Sequence, residues 1–179
     1  MMRSKLLLIL VLGLPTLLHG QTQREASPQA VERIAREVRH QLIMLPFLNV
    51  FDNLAFSVTG YNVTLKGQVT DPALKKSAER VVKQVEGVEQ VDNQIVVLPP
   101  SGMDDQLRLR LYRAIYGFGP LEKYAMSNIK PIRIIVQNGH ATLEGVVDNK
   151  ADKDMAGIRA NTVSGIFSVT NNLVVESGK

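Results

Sequence analysis

The residues best suited to chemistry in this chain are cations set among aromatic rings. Arg108, Arg110 and Arg113 share one stretch with Tyr112, Tyr116 and Phe118, and Lys123 follows beyond a glycine-proline break. Guanidinium and ammonium groups beside tyrosines are what an anionic headgroup surface attracts, at about 1 kcal/mol per basic residue near the membrane. The competing reading of the stretch is a solvated helix face that also contacts the rest of the protein. Catalytic chemistry finds little support. Outside the leader only His40 and His140 remain, one in a helix and one beside a turn. No H-E-x-x-H, G-x-S-x-G or P-loop pattern occurs. Asp148, Asp152 and Asp154 cluster at a helix start, but Lys150 and Lys153 interrupt them, so helix N-terminal acids explain them better than a metal site. No cofactor or metal is expected.

A basic-aromatic helix needs a scaffold, and the chain spells that scaffold twice. V-T-L-K-G-Q-V from Val63 returns as A-T-L-E-G-V-V from Ala141. V-E-G-V-E-Q-V-D-N-Q-I-V-V from Val85 returns as V-S-G-I-F-S-V-T-N-N-L-V-V from Val163. The copies lie about 78 residues apart without a gap. In each, the order reads helix, strand, strand, helix, strand. Val31, Ile34, Val38 and Leu42 recur at helical spacing after Ser27-Pro28, a helix-start pair. Gly60-Tyr61 and Asn138-Gly139 are two-residue hairpin turns. Asp71-Pro72 and Asn149 open the second helices. Gly87 and Gly165 are expected to close them as left-handed caps, followed by last strands at Val91–Leu98 and Phe167–Val175. In the second copy the first helix is expected at about Asp104–Tyr116, then a short helix over Leu121–Ser127.

These motifs resemble the BON family, the bacterial osmotically-induced and nodulation domain. They carry its L-x-G-x-V strand at Leu65–Val69 and Leu143–Val147, and its G-V-x-x-V-x-N-x-L-x-V pattern at Gly87–Val97 and Gly165–Val175. The resemblance implies an α+β fold of two tandem αββαβ modules, each a three-stranded sheet packed with two helices. It implies a non-catalytic envelope protein, linked to osmotic or other envelope stress. It further implies that the first helix of the second module meets anionic phospholipid. The modules fall at 30–98 and 104–176, joined by the linker 99–103. Within them Gly67 and Gly145 are expected to admit the second helix against the sheet. Asn93 and Asn171 are expected to bond nearby backbone.

Residues 1–20 read as a secretory signal peptide: basic Arg3 and Lys5, an apolar run from Leu6 to Leu14, then Pro15 and small Gly20. Cleavage after Gly20 would leave a soluble periplasmic or secreted protein. The chain has no cysteine, which excludes disulfides, thiol catalysis and lipidation on an N-terminal cysteine. The net charge of +4 falls by two when Arg3 and Lys5 leave with the leader, a weak pull toward polyanions. Nucleic acid fits poorly, because aromatics do not interleave with the basic residues of the second helices. The expected partner is an anionic phospholipid surface or an envelope protein, and a homo-oligomer is compatible with either. A protein-protein adaptor is the alternative function. Its surface would be the apolar connection carrying Phe47, Leu48 and Phe51, which could also dock on the second copy.

Overall fold

The computed structural model describes residues 26–176; the signal peptide read in residues 1–20 lies outside them. In the first module α1 (Pro28–Ile43) precedes the hairpin β1 (Asn53–Thr59) and β2 (Asn62–Val69). Helix α2 (Pro72–Lys83) then crosses to β3 (Gln90–Asn93) and β4 (Val96–Val97). The second module repeats this with α3 (Gly102–Tyr116), a 3-10 helix (Gly119–Ala125), β5 (Ile132–Gln137), β6 (His140–Val147), α4 (Lys150–Asn161), β7 (Ser168–Asn171) and β8 (Val174–Val175). Helix α3 starts two residues before its expected position, because Ser101 caps it by accepting from the Asp104 amide.

In each sheet the middle strand pairs antiparallel with its hairpin partner and parallel with the strand after the crossover helix. The loops Gly60-Tyr61 and Asn138-Gly139 close the hairpins as read. The last strand is not one piece. It breaks after Asn93, whose side-chain oxygen accepts from the Ile95 amide, and after Asn171, which accepts from Leu173. The register across the break is unchanged. The break turns Ile95 and Leu173 fully into the cores, where each such side chain stabilises by about 1.5–3 kcal/mol.

Each module has its own core. Ile34, Val38, Val63, Leu65, Ala78 and Val82 centre the first; Leu107, Leu111, Ile115, Ile134, Leu143 and Ala156 centre the second. Helices and sheet meet through small residues at the crossing, Ala78 and Ala156. The strand glycines answer to a different neighbour than expected. A Cβ on Gly67 would sit 2.0 Å from the Asn53 carbonyl oxygen, and one on Gly145 1.9 Å from that of Pro131. Both residues have positive φ, +114° and +118°. The hairpin partner strand, not the crossover helix, requires glycine there.

Candidate binding site at the junction of the modules

Helix α3 divides the basic-aromatic residues between core and surface. The period that buries Leu107, Leu111 and Ile115 also carries Asp104 and Arg108 inward. Arg108 is 4 % exposed. Its Nη2 donates to the Val136 carbonyl at 2.6 Å and its Nη1 to Asp105, while Nε is buried without a partner among the described residues. Asp104 accepts from the Asn138 and Gly139 amides, both at 2.9 Å, and so fixes the β5–β6 turn. Tyr116 is buried too. Its hydroxyl accepts from the Ile132 amide and donates to the Ile132 carbonyl, and burial raises its pKa. Arg108 and Tyr116 therefore present nothing to a surface.

The remaining residues are split. Arg113 is exposed and has no ion pair among the described residues. Arg110 is exposed but holds the Ser164 carbonyl at 3.2 Å. Arg33 does the same to Glu86 in the first module. Tyr112 lies half-buried between the rings of Tyr116 and Phe51. Phe118, also half-buried, lies under the Arg159 guanidinium at 5.0 Å.

Lys123 serves an internal network. Its ammonium bridges Asp148 at 2.6 Å and Asp152 at 2.7 Å, and the Asp148 bond, then the Asp152 bond, hold its pKa above the usual lysine value. The Tyr124 hydroxyl donates to Asp152 at 2.6 Å and accepts from the Asp148 amide at 2.8 Å. Burial and then the Asp152 bond push the Tyr124 phenol up to about 12. Burial works to raise the Asp152 carboxyl, but the bonds from Lys123 and Tyr124 outweigh it and hold it below the usual aspartate value. The acidic cluster noted in the sequence is thus part of an ion-pair network.

The family asparagines work as read, and reach further. Asn93 donates to the Lys75 carbonyl and to Glu79, both at 3.0 Å, and Asn171 donates to the Lys153 carbonyl at 2.7 Å. Each clamps its split strand to the crossover helix. Gly87 and Gly165 are left-handed, with φ of +88° and +92°. They sit in the turns after the helices, not at the caps, since α2 ends at Lys83 and α4 at Asn161. The space a side chain would need at Gly87 is taken by Arg33 and Ile34.

The apolar connection forms the contact between modules. Leu48 packs on the first core while Val50 and Phe51 pack on the second. The Ile134 amide donates to the Val50 carbonyl at 2.9 Å, which gives the open edge of β5 a partner. Arg133 donates to the Asn49 carbonyl at 2.8 Å. Burial pulls this guanidinium below its ordinary value, yet it remains charged. Phe47 points away from all of this, 83 % exposed at φ +68°.

Two cavities flank this contact. One, of about 360 Å³, lies between the modules and is lined by Ile43, Leu48, Phe51, Leu109, Tyr112 and Ile129, with Lys130 and Arg133. The other, of about 490 Å³, runs between α1 and β1 and carries Arg39 and Arg133. They share Ile43, Leu48 and Arg133. No motif or spacing singles out Arg133, Lys130, Ile129 or Ile43. Arg133 alternates with apolar residues along β5 and reads as an ordinary strand cation. Its position opposite Asn49 depends on a contact between elements more than eighty residues apart. Among the described residues no group of histidines and carboxylates could hold a metal ion.

No curated protein matches the chain. Among solved structures, CdsD, a structural protein of the type III secretion system of Chlamydia trachomatis, overlays with a TM-score of 0.30 at 17 % identity, covering 82 % of this chain and 93 % of that one. The C-terminal domain of CdsD overlays at 0.29 and 16 % identity, covering 80 % and 98 %. Similarity this weak says nothing about function. The BON domain profile matches residues 32–99 and 121–177, so the chain belongs to the BON domain family and carries the domain twice.

Proposed function

We propose that this is an exported, non-catalytic envelope protein that binds an anionic phospholipid surface, and that the contact is the mouth of the module junction rather than the whole basic face of α3. The observation that carries the reading is the composition of that mouth. Ile43, Leu109 and Ile129 line the cavity and are 40 %, 48 % and 41 % exposed. Met44 and Phe47, next in the chain after Ile43 and outside the cavity lining, are exposed as well. Arg39 lies one turn from Ile43, and Arg113 one turn from Leu109, so cations flank the rim. Exposed apolar residues ringed by cations suit a negatively charged interface. The leader read in residues 1–20 supports export, and the family supports a role in envelope integrity or stress.

Co-sedimentation with vesicles tests this. Binding is expected to require anionic lipid and to weaken as salt rises. Arg113→Ala and Lys130→Ala should each weaken it about fivefold, from about 1 kcal/mol per cation. Arg108→Ala is the wrong variant, because it strips a buried group. Absence of binding to any vesicle sinks the proposal.

Phe47 favours a second reading, a protein-protein adaptor. Leu48 and Phe51 pack partly against the two cores, whereas Phe47 is 83 % exposed and the most open of the three to a partner. A pull-down partner lost with Phe47→Ala, in a protein that ignores vesicles, would select it.

A further inference from the structure

The two cavities share a wall. Each volume lies within the roughly 300–1,000 Å³ of small-molecule sites. Their walls are mainly aliphatic and aromatic, from Leu54 and Phe56 at one end to Leu109 and Ile129 at the other. Among the described residues three cations line them, Arg39, Lys130 and Arg133, and no carboxylate does. None of the three has an ion pair among the described residues. Arg133 stands where the two cavities meet; it donates to the neutral Asn49 carbonyl, and the Asp52 carboxylate acts on it without closing an ion pair. A half-buried guanidinium with no ion pair, set in a mainly apolar groove, is a ready partner for an anion.

We propose that this groove takes a single-chain anionic lipid, its acyl chain along the apolar walls and its headgroup on Arg133 with Lys130 or Arg39. The proposal rests on the lipid-surface reading and sharpens it: the junction holds one lipid molecule as well as meeting the bilayer. An apolar chain explains the walls, and a terminal anion explains cations without acids.

Titration of the purified protein with oleate below its aggregation concentration, read by calorimetry and by native mass spectrometry, tests this. One oleate per chain should bind saturably, and oleyl alcohol at least tenfold more weakly. Ile129→Trp should abolish uptake by filling the mouth. Lys130→Gln should weaken it severalfold, and Arg133→Gln at least tenfold. Among the described residues Lys130 bonds only to the Ser127 carbonyl, so its variant keeps the test open if Arg133→Gln loosens the junction. Vesicle binding without oleate uptake overturns the groove and leaves the surface reading standing. Loss of both overturns both. Oleate uptake unchanged in Ile129→Trp places the lipid elsewhere and overturns the proposal. So does a dimer that Ile129→Trp disperses, with no oleate bound, because a second copy then fills the groove.

Discussion

Thr70 and Asp148 occupy the same place in the two modules, the residue after the central strand, and their amides are satisfied in opposite ways. In the first module the amide and hydroxyl of Thr70 donate to Asp52, a fully buried carboxylate that also accepts from the Asn49 amide. In the second the Asp148 amide donates to the Tyr124 hydroxyl, which in turn donates to Asp152, the carboxylate paired with Lys123. What both modules do is the same: give the amide that follows the central strand a side-chain acceptor. The residues that do it come from the segment between first helix and first strand, which is where the copies differ most. The first module uses that segment to reach its neighbour; the second uses it to close on itself.

The largest expected effect tests the part the modules share. Gly67→Ala and Gly145→Ala should each cost at least about 3 kcal/mol, since a left-handed backbone and a carbonyl at 2 Å both oppose the new methyl. Urea unfolding should show nearly equal losses. A mild effect in one copy alone would break the equivalence of the modules.

A smaller effect tests where they differ. Tyr124→Phe removes the acceptor of the Asp148 amide and a donor to Asp152, a loss of about 1–3 kcal/mol near neutral pH. The Asp152 carboxyl is held below its ordinary value, so its contribution is present above the unfolded aspartate range and is lost as pH falls through the folded value. The gap between wild type and Tyr124→Phe should therefore narrow on acidification below the ordinary aspartate range. A gap independent of pH would show that the phenol acts only through Asp148. Thermal melts across that range decide it.

The smallest effect concerns a repeated detail. Arg33→Ala and Arg110→Ala each lose an exposed bond to the carbonyl before the turn glycine, and each should cost about 0.5–1 kcal/mol. If Arg110→Ala leaves stability unchanged but weakens vesicle binding, the copies have diverged in the use of one arginine.

Much of the fold is legible in single residues. The hairpin loops, the caps at Ser27, Asp71 and Asn149, and the inward valines of β2 follow from periods and turn chemistry that operate within a few residues. Asn93 and Asn171 are visible as positions, but their reach to a helix carbonyl eighteen residues back is not. The candidate site is less legible. Arg108 looked like a surface cation because charge is a surface signal, yet its spacing from Leu107 and Leu111 already placed it on the buried stripe. Arg133, Ile129 and Ile43 carried no signal, because a groove between modules has no local pattern.

The amino-acid sequence by itself determined two copies of one α+β module and the family they belong to. Local propensity and hydrophobic period act along the chain, so they survive being read there. Only the tertiary structure decided which cations meet solvent, which carboxylates are paired, and that Val50 and Arg133 join the modules. Those outcomes depend on which buried donors and acceptors find partners far away in sequence, and that competition is resolved by packing.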